Sequence, residues 1–121
     1  MAKLINLKTF CDQRGNLTVI EKVLPFDIKR IFYIYGVDES VRGKHRHKKT
    51  IQAAICIKGK CTIFNNDGTK KEEFILDSPD KCLLLEPKDW HYMHKFSPDA
   101  ILMVLASEQF DQRDYIFEPY P

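Results

Sequence analysis

The 121-residue chain lacks several features that would assign it to other classes of protein. Its longest uninterrupted apolar run, residues 100–106, is far shorter than the about 20 residues that a membrane-spanning helix requires. No basic segment followed by an apolar one opens the chain, so we predict no secretory signal, no membrane association and a cytoplasmic location. Neither a Gly-x-Gly-x-x-Gly motif nor a phosphate-binding loop is present, and we therefore expect no redox cofactor.

A strong net charge and metal-type cysteine spacing are also missing. The formal net charge is only +2, which gives no electrostatic reason to expect a nucleic-acid partner. The four cysteines contain no Cys-x-x-Cys pair, so we expect free thiols in the core rather than zinc ligands or disulfides. With 44% apolar and 30% charged residues, the chain has the composition of one globular domain, residues 1–121, built around a single core.

What the chain does contain, from one end to the other, is short strand-like segments. No window longer than about ten residues shows the periodicity of a helix. Segments rich in β-branched and aromatic residues lie at 16–23, 30–35, 51–57, 61–64, 72–76, 82–85 and 101–106. Turn residues separate them, most clearly in the Asn-Asn-Asp-Gly sequence at 65–68. The pattern predicts an all-β sandwich or barrel.

Two histidines, His45 and His47, lie in the basic stretch 42–49. If this stretch is extended, both imidazoles project to one face, which continues into the apolar segment 51–57 and hence toward the interior. Arg46 would then lie on the opposite, exposed face. Two imidazoles side by side at the mouth of an apolar barrel form a candidate site, which could bind a metal or transfer protons near neutral pH.

The spacing His45-x-His47-x4-Gln52-x6-Gly59 resembles the first sequence motif of the cupin superfamily of small β-barrels. In metal-binding cupins the two histidines and a glutamate are ligands. Here Gln52 occupies the glutamate position, and a neutral amide supplies no charge to offset the desolvation of a divalent cation. This substitution favours a site without a metal.

The second cupin motif, which normally supplies a third histidine ligand, falls on residues 87–92. Tyr92 occupies the ligand position. His91 comes one residue early and would lie on the opposite face of an extended segment, while His94 comes two residues late. We therefore interpret the histidine pair as acid–base groups and predict no bound metal.

Ordered matches along nearly the whole chain resemble one cupin family, the WxcM-like nucleotide-sugar 3,4-ketoisomerases that act on dTDP-4-keto-6-deoxyglucose. The matching segments are 14–21, 25–26, 29–35, 42–48 with Gln52, 76–79, 87–91, 96–100, 105–107 and 110–116. The tail at 117–121 departs from the family pattern. The resemblance implies a cupin double-stranded β-helix, or jelly-roll barrel, and an isomerase without a cofactor in the biosynthesis of deoxyamino sugars for surface glycans. It also implies a homodimer that exchanges N-terminal strands, for which residues 4–7 are the candidate.

The resemblance assigns proton transfer to His45 and His47, and places Tyr33 in the same site as a donor to an enolate oxygen. Moving a ketone from C4 to C3 requires removal of the C3 proton, an enediol intermediate and return of a proton to C4. We expect His47, nearer the apolar segment, to be the deeper imidazole and the base. The substrate-binding residues expected from the resemblance are Arg42, Arg30, Tyr35, Gln52, Trp90 and His91.

Three alternatives remain open at this point. A dTDP-4-keto-6-deoxyhexose 3,5-epimerase of the cupin type also removes protons beside a C4 ketone. A non-catalytic cupin would bind the same sugar nucleotide without turnover, and a metal-dependent dioxygenase would require iron.

Overall fold

The chain folds predominantly into short β-strands. The structure, a computed structural model, describes residues 2–121, and in this range it contains twelve strands and one 3₁₀ turn, Gln112–Asp114. The strands are β1 (Lys3–Asn6), β2 (Lys8–Asp12), β3 (Gly15–Val19), β4 (Arg30–Tyr35), β5 (Arg42–His47), β6 (Gln52–Lys58), β7 (Cys61–Asn66), β8 (Lys71–Leu76), β9 (Lys81–Leu85), β10 (Trp90–His94), β11 (Ile101–Ala106) and β12 (Tyr115–Ile116). The all-β prediction is confirmed.

Ten of these strands form two five-stranded antiparallel sheets. The first sheet has the order β1-β9-β6-β11-β4, and the second has the order β12-β5-β10-β7-β8. From β4 to β12 the chain passes back and forth between the sheets, remaining in one sheet only for the β7–β8 hairpin. This connectivity is that of a jelly roll, as predicted. Among residues 2–121 the structure has no helix that could span a bilayer.

The core lies between the two sheets and takes alternate side chains from each strand. Ile63 and Leu76 enter from the second sheet, and Leu83, Leu102 and Val104 enter from the first. All five are at most 1% exposed. Burying one such side chain stabilises the folded chain by about 1.5–3 kcal/mol, so this layer fixes how the sheets face each other.

The remaining two strands, β2 and β3, form a hairpin that is hydrogen-bonded to neither sheet. Phe10 and Leu17 on this hairpin are 53% and 60% exposed. Cys11 is exposed as well, so the expectation of core cysteines is confirmed for the other three and wrong for this one. The strand predicted at 16–23 ends at Val19, and Lys22 has a positive φ of 57°, a conformation that cannot continue a strand.

The strand that carries the histidine pair, β5, lies between β12 and β10. His47 is opposite Tyr115 on β12, and His45 is opposite His91 on β10. Gly43 permits this close pairing, because its φ is +98° and a Cβ atom there would lie 3.1 Å from the His91 carbonyl oxygen.

Candidate active site

Three imidazoles, those of His45, His47 and His91, come together between β5 and β10. The ring centroids are 5.0 Å apart for His45 and His47, 5.0 Å for His45 and His91, and 6.2 Å for His47 and His91. We call these three residues the imidazole cluster. His91 therefore takes the inward position on β10. Tyr92, which occupies the cupin ligand position in the sequence, instead stacks on Phe64 with a centroid distance of 4.8 Å.

Burial keeps the imidazole cluster uncharged at neutral pH. His91 and His47 are 1% and 4% exposed, and His45 is partly buried, so His47 is the deeper of the pair, as expected. Desolvation, the larger cause, and the charge of a neighbouring imidazole together lower the pKa of each ring to about 4. Each ring therefore has a lone pair available to accept a proton at pH 7.

Two nitrogens of the imidazole cluster have no partner among residues 2–121. His91 Nδ1 lies 3.0 Å from the Asp89 carbonyl oxygen, to which it donates, and this bond leaves the His91 Nε2 lone pair free. His91 Nε2 and His47 Nε2 are both buried without a hydrogen-bond partner in the part of the chain that the structure describes. Buried polar atoms in folded proteins are nearly always paired, so these two nitrogens are available to water or to a ligand.

The imidazole cluster is not arranged as a metal centre. Within residues 2–121, no group of three or more His, Cys, Asp or Glu side chains has an arrangement that could hold a metal ion. Gln52, at the glutamate position of the cupin motif, is 3% exposed and supplies a neutral amide beside the cluster.

A cleft of about 280 Å³ opens beside His45, between the edge strand β4 of the first sheet and strands β5 and β12 of the second. It is lined by Arg30, Phe32, Tyr33, Ile34, Arg42, Gly43, His45, Gln52, Met93 and Tyr115. Five of the predicted site residues, Arg30, Tyr33, Arg42, His45 and Gln52, line this cleft. His47 lies behind His45 and is not part of the wall, so His45 is the imidazole of the pair that borders the cleft.

The two arginines give the cleft its positive charge. The Arg30 guanidinium lies between two aromatic rings, 4.5 Å from the Phe32 centroid and 5.2 Å from the Phe110 centroid. Arg42 is exposed at the rim. A guanidinium can bind a diphosphate through two parallel hydrogen bonds, so the cleft offers adjacent places for an anionic group and for a group that exchanges protons.

Tyr33 and Tyr35 project from the other side of β4. Phe32 and Ile34 pack on the core, and alternation therefore places the Tyr33 ring on the outer face of the first sheet. Tyr33 is 63% exposed, and its ring stacks on that of Tyr35 with a centroid distance of 5.9 Å. Tyr33 therefore borders the cleft along the β4 strand and not with its phenol group. The chain by itself does not bring either phenol to the imidazole cluster.

Trp90 and Arg46 lie on the outer face of the second sheet. The Trp90 indole N–H donates to the Phe117 carbonyl oxygen at 3.1 Å, and Trp90 is not among the residues that line the cleft. Arg46 faces away from the histidines, as expected, but it is half-buried rather than exposed. Its guanidinium stacks 4.6 Å from the ring centroid of Tyr120. The tail at 117–121 covers this face.

Asp114 and Tyr115 also belong to this site, although neither was predicted from the sequence as a site residue. Asp114 is buried, and its carboxylate accepts hydrogen bonds from the backbone N–H groups of Lys48 and Lys49, at 3.1 and 2.8 Å, and from the Thr50 hydroxyl. Burial opposes ionisation, but these bonds and the nearby His47 hold the pKa of Asp114 below its ordinary value. The signal in the sequence was weak because β12 has only two residues, too few to show alternation.

Comparison with known proteins places this chain in a family. The sequence matches the family "FdtA: WxcM-like, C-terminal" over residues 1–120. It is 46% identical to the TDP-4-oxo-6-deoxy-alpha-D-glucose-3,4-oxoisomerase of Aneurinibacillus thermoaerophilus, covering 94% of this chain and 84% of that protein.

Solved structures agree with this relationship. One is a histidine-to-asparagine mutant of the 3,4-ketoisomerase QdtA from Thermoanaerobacterium thermosaccharolyticum, in complex with TDP-4-keto-6-deoxyglucose. It matches with a TM-score of 0.92 and 39% identity, over 97% of this chain and 87% of that one. A 3'-monoepimerase from Streptomyces bikiniensis matches with a TM-score of 0.83 but only 14% identity, over 94% and 67% of the two chains, and so shares the fold alone. The protein with these neutral imidazoles beside an arginine-lined cleft belongs to the FdtA family of WxcM-like proteins.

Proposed function

We propose that this chain is a sugar-nucleotide 3,4-ketoisomerase that acts on TDP-4-keto-6-deoxyglucose. The observation that carries the proposal is the position of His45, a neutral imidazole on the wall of a cleft whose other walls hold two arginines. The sugar would lie against His45, and Arg30 and Arg42 would bind the diphosphate. A relative that is 46% identical carries the name of this activity, which supports the same substrate class.

The reaction needs only proton movements that this site can perform. His45 removes the C3 proton, and the C3–H electron pair forms a C3–C4 double bond as negative charge develops on the C4 oxygen. The proton of the C3 hydroxyl then passes to the C4 oxygen and the C3–O bond becomes the ketone. The imidazolium exchanges the proton taken from C3 with solvent and then delivers a proton to C4. His47, edge-on to His45 at 5.0 Å, supports the charge change on its neighbour. This division of roles differs from the sequence-based expectation of His47 as the base, because His45 is the ring on the cleft wall.

Proton NMR of the products tests this function directly. In D₂O the isomerase should convert TDP-4-keto-6-deoxyglucose into a 3-keto sugar that carries deuterium at C4. A 3,5-epimerase would leave the ketone at C4 and introduce deuterium at C3 or C5 with inversion. A binding protein without activity would leave the substrate unchanged, and either of these two results would overturn the proposal.

We also propose that two copies of the chain pair through the outer face of the first sheet. Residues Ile20, Leu24 and Phe26 cover one half of this face, packed on a cluster that includes Ile55 and Leu105. The other half presents an uncovered apolar surface formed by Tyr33, Tyr35, Ile57, Ile101 and Met103. Exposed apolar patches of this kind in soluble proteins are typical of association surfaces.

A second copy explains two further features of the chain. The β2–β3 hairpin, with Phe10 and Leu17 exposed, would pack on a partner instead of projecting into water. Pairing would also bury the phenols of Tyr33 and Tyr35, which the single chain leaves exposed. Within one chain, β1 pairs with β9, and Leu4 lies opposite Leu83. If the two copies exchanged their N-terminal strands, β1 of one copy would make these same contacts with β9 of the other.

We propose a cytoplasmic location, because nucleotide-activated sugars are made from nucleoside triphosphates inside the cell. Fractionation of cells that produce the protein, with a cytoplasmic enzyme as marker, tests this. Recovery with the membrane or secreted fraction would contradict it.

A further inference from the structure

Tyr115 is the aromatic side chain that covers the histidine pair. Its ring centroid lies 4.7 Å from that of His45 and 4.7 Å from that of His47, and it meets both rings edge-on. It also lines the cleft. This phenol therefore shares one pocket with both imidazoles of the pair, whereas the Tyr33 phenol faces the other side of the first sheet.

Bonds on both sides of Tyr115 fix the position of its ring. Before it, the Asp114 carboxylate is tied to the turn that follows His47 through the N–H groups of Lys48 and Lys49 and the Thr50 hydroxyl. After it, the Phe117 carbonyl accepts the hydrogen bond from the Trp90 indole. The ring is thus held from both ends of its segment without the use of its own hydroxyl.

The Tyr115 hydroxyl forms no hydrogen bond with any other residue among 2–121. A phenol that borders a cleft and has no protein partner is free to donate to a ligand. The arginines are placed differently, since Arg30 is stacked between Phe32 and Phe110 and Arg42 lies at the exposed rim. Tyr115 is the donor that lies directly against the proton-transfer groups.

We propose that Tyr115 is a further catalytic residue, whose hydroxyl donates a hydrogen bond to the C4 oxygen of the sugar while His45 removes the C3 proton; this role rests on the proposed function. Negative charge develops on that oxygen as the C3–C4 double bond forms. A donor already fixed in place stabilises this charge without reorganisation, and the phenol keeps its proton throughout. All atoms and protons are accounted for by the substrate and the imidazole.

Tyr115→Phe tests this role, because it retains the ring that covers the imidazoles and removes only the hydroxyl. Loss of one such donor costs about 100- to 1,000-fold in kcat. We expect a loss of that order, a KM within a few-fold of the wild-type value, and an equal fall in the release of deuterium from substrate labelled at C3. The control is Tyr92→Phe, on the outer face of β10, which should match the wild type in all three measurements.

The outcomes separate the role from the function. The role alone is overturned if the wild type turns over the substrate and the kcat and deuterium release of Tyr115→Phe stay within twofold of the wild-type values. Absence of turnover in the wild type overturns the proposed function and the role with it. If Tyr115→Phe melts below the assay temperature, 3-fluorotyrosine at position 115 retains the shape and strengthens the donor, and an unchanged kcat then overturns the role.

Discussion

At the scale of single residues, His45 and His47 differ in the surface that they present. His45 lies on the cleft wall, whereas His47 is 4% exposed behind it. We expect His45→Asn to lower kcat by about 100- to 10,000-fold, because it removes the group that exchanges protons with the sugar. His47→Asn should cause a smaller loss, since it removes only the neighbour of that group. Steady-state kinetics with TDP-4-keto-6-deoxyglucose measures both variants.

Exchange with solvent provides the check on this assignment. Release of deuterium from substrate labelled at C3 should stop in His45→Asn and continue in His47→Asn. The reverse pattern would restore His47 as the base, in agreement with the expectation from the sequence and against the geometry of the cleft.

The imidazole cluster should also make stability depend on pH. Its three rings have a pKa of about 4 in the folded chain and the ordinary value of about 6.5 when unfolded. Between these values the unfolded chain binds more protons, so the free energy of unfolding falls as the pH is lowered from about 6.5 to about 4. We expect the urea midpoint to be lower at pH 5 than at pH 7.

His91→Asn identifies the source of that dependence. This variant has one titrating ring fewer, so its midpoint should change less between pH 7 and pH 5 than that of the wild type. Between pH 7 and pH 8 the rings are largely neutral in both states, so the midpoint should change far less, and this interval serves as the control. An unchanged dependence in the variant would assign the effect to other groups.

At the scale of elements, the short β12 strand is held by one buried carboxylate. Replacing Asp114 by Ala leaves the Lys49 N–H group and the Thr50 hydroxyl without their acceptor, whereas the Lys48 N–H group keeps the Asp114 carbonyl oxygen at 2.9 Å. An unsatisfied buried donor costs about 1–3 kcal/mol, so we expect a loss of stability of at least this order in urea unfolding. The loss of kcat should exceed what the unfolded fraction explains, because Tyr115 is displaced as well.

Asp12→Ala is the matched control for that variant. Asp12 also accepts hydrogen bonds from a backbone N–H group and from a side chain, both of Arg14, but it lies on the exposed β2–β3 hairpin. Such surface pairs contribute little. Equal destabilisation by the two substitutions would contradict the anchoring role of Asp114.

The strands that the sequence predicted most accurately are apolar ones that pack on the core. β4 and β11 were found within their predicted limits because their residues are β-branched or aromatic and pack on the core. The strand β2 was missed because four of its five residues are exposed, so it shows no alternation of buried and exposed side chains. The cleft was only partly predicted. The spacing of His45 and His47 identified both residues, because they lie on one strand. Tyr115 reaches the site only through the pairing of β12 with β5, which are distant in the sequence.

At the scale of the whole molecule, the uncovered apolar half of the first sheet predicts a dimer. We expect sedimentation at micromolar concentration to give twice the 14.2 kDa mass of the chain. Ile57→Glu should shift the protein to the monomer, because it places a charge on that face, and a buried unpaired charge is costly.

Ile75→Glu is the control for the dimer. It makes the same chemical change at a residue that is 57% exposed on β8 of the second sheet, and we expect it to leave the dimer intact. A wild-type protein that sediments as a monomer, or dissociation by both substitutions, would contradict pairing through the first sheet.

The passage of the chain back and forth between the sheets has a consequence for how the enzyme is made. The cleft draws its walls from β4, β5, β6, β10 and β12, which span most of the sequence and alternate between the two layers. Contacts between residues so far apart form late and slowly during folding, since each closes a long loop. Catalytic activity should therefore return on refolding only in the final, rate-limiting step, and no stable folding intermediate should show any turnover.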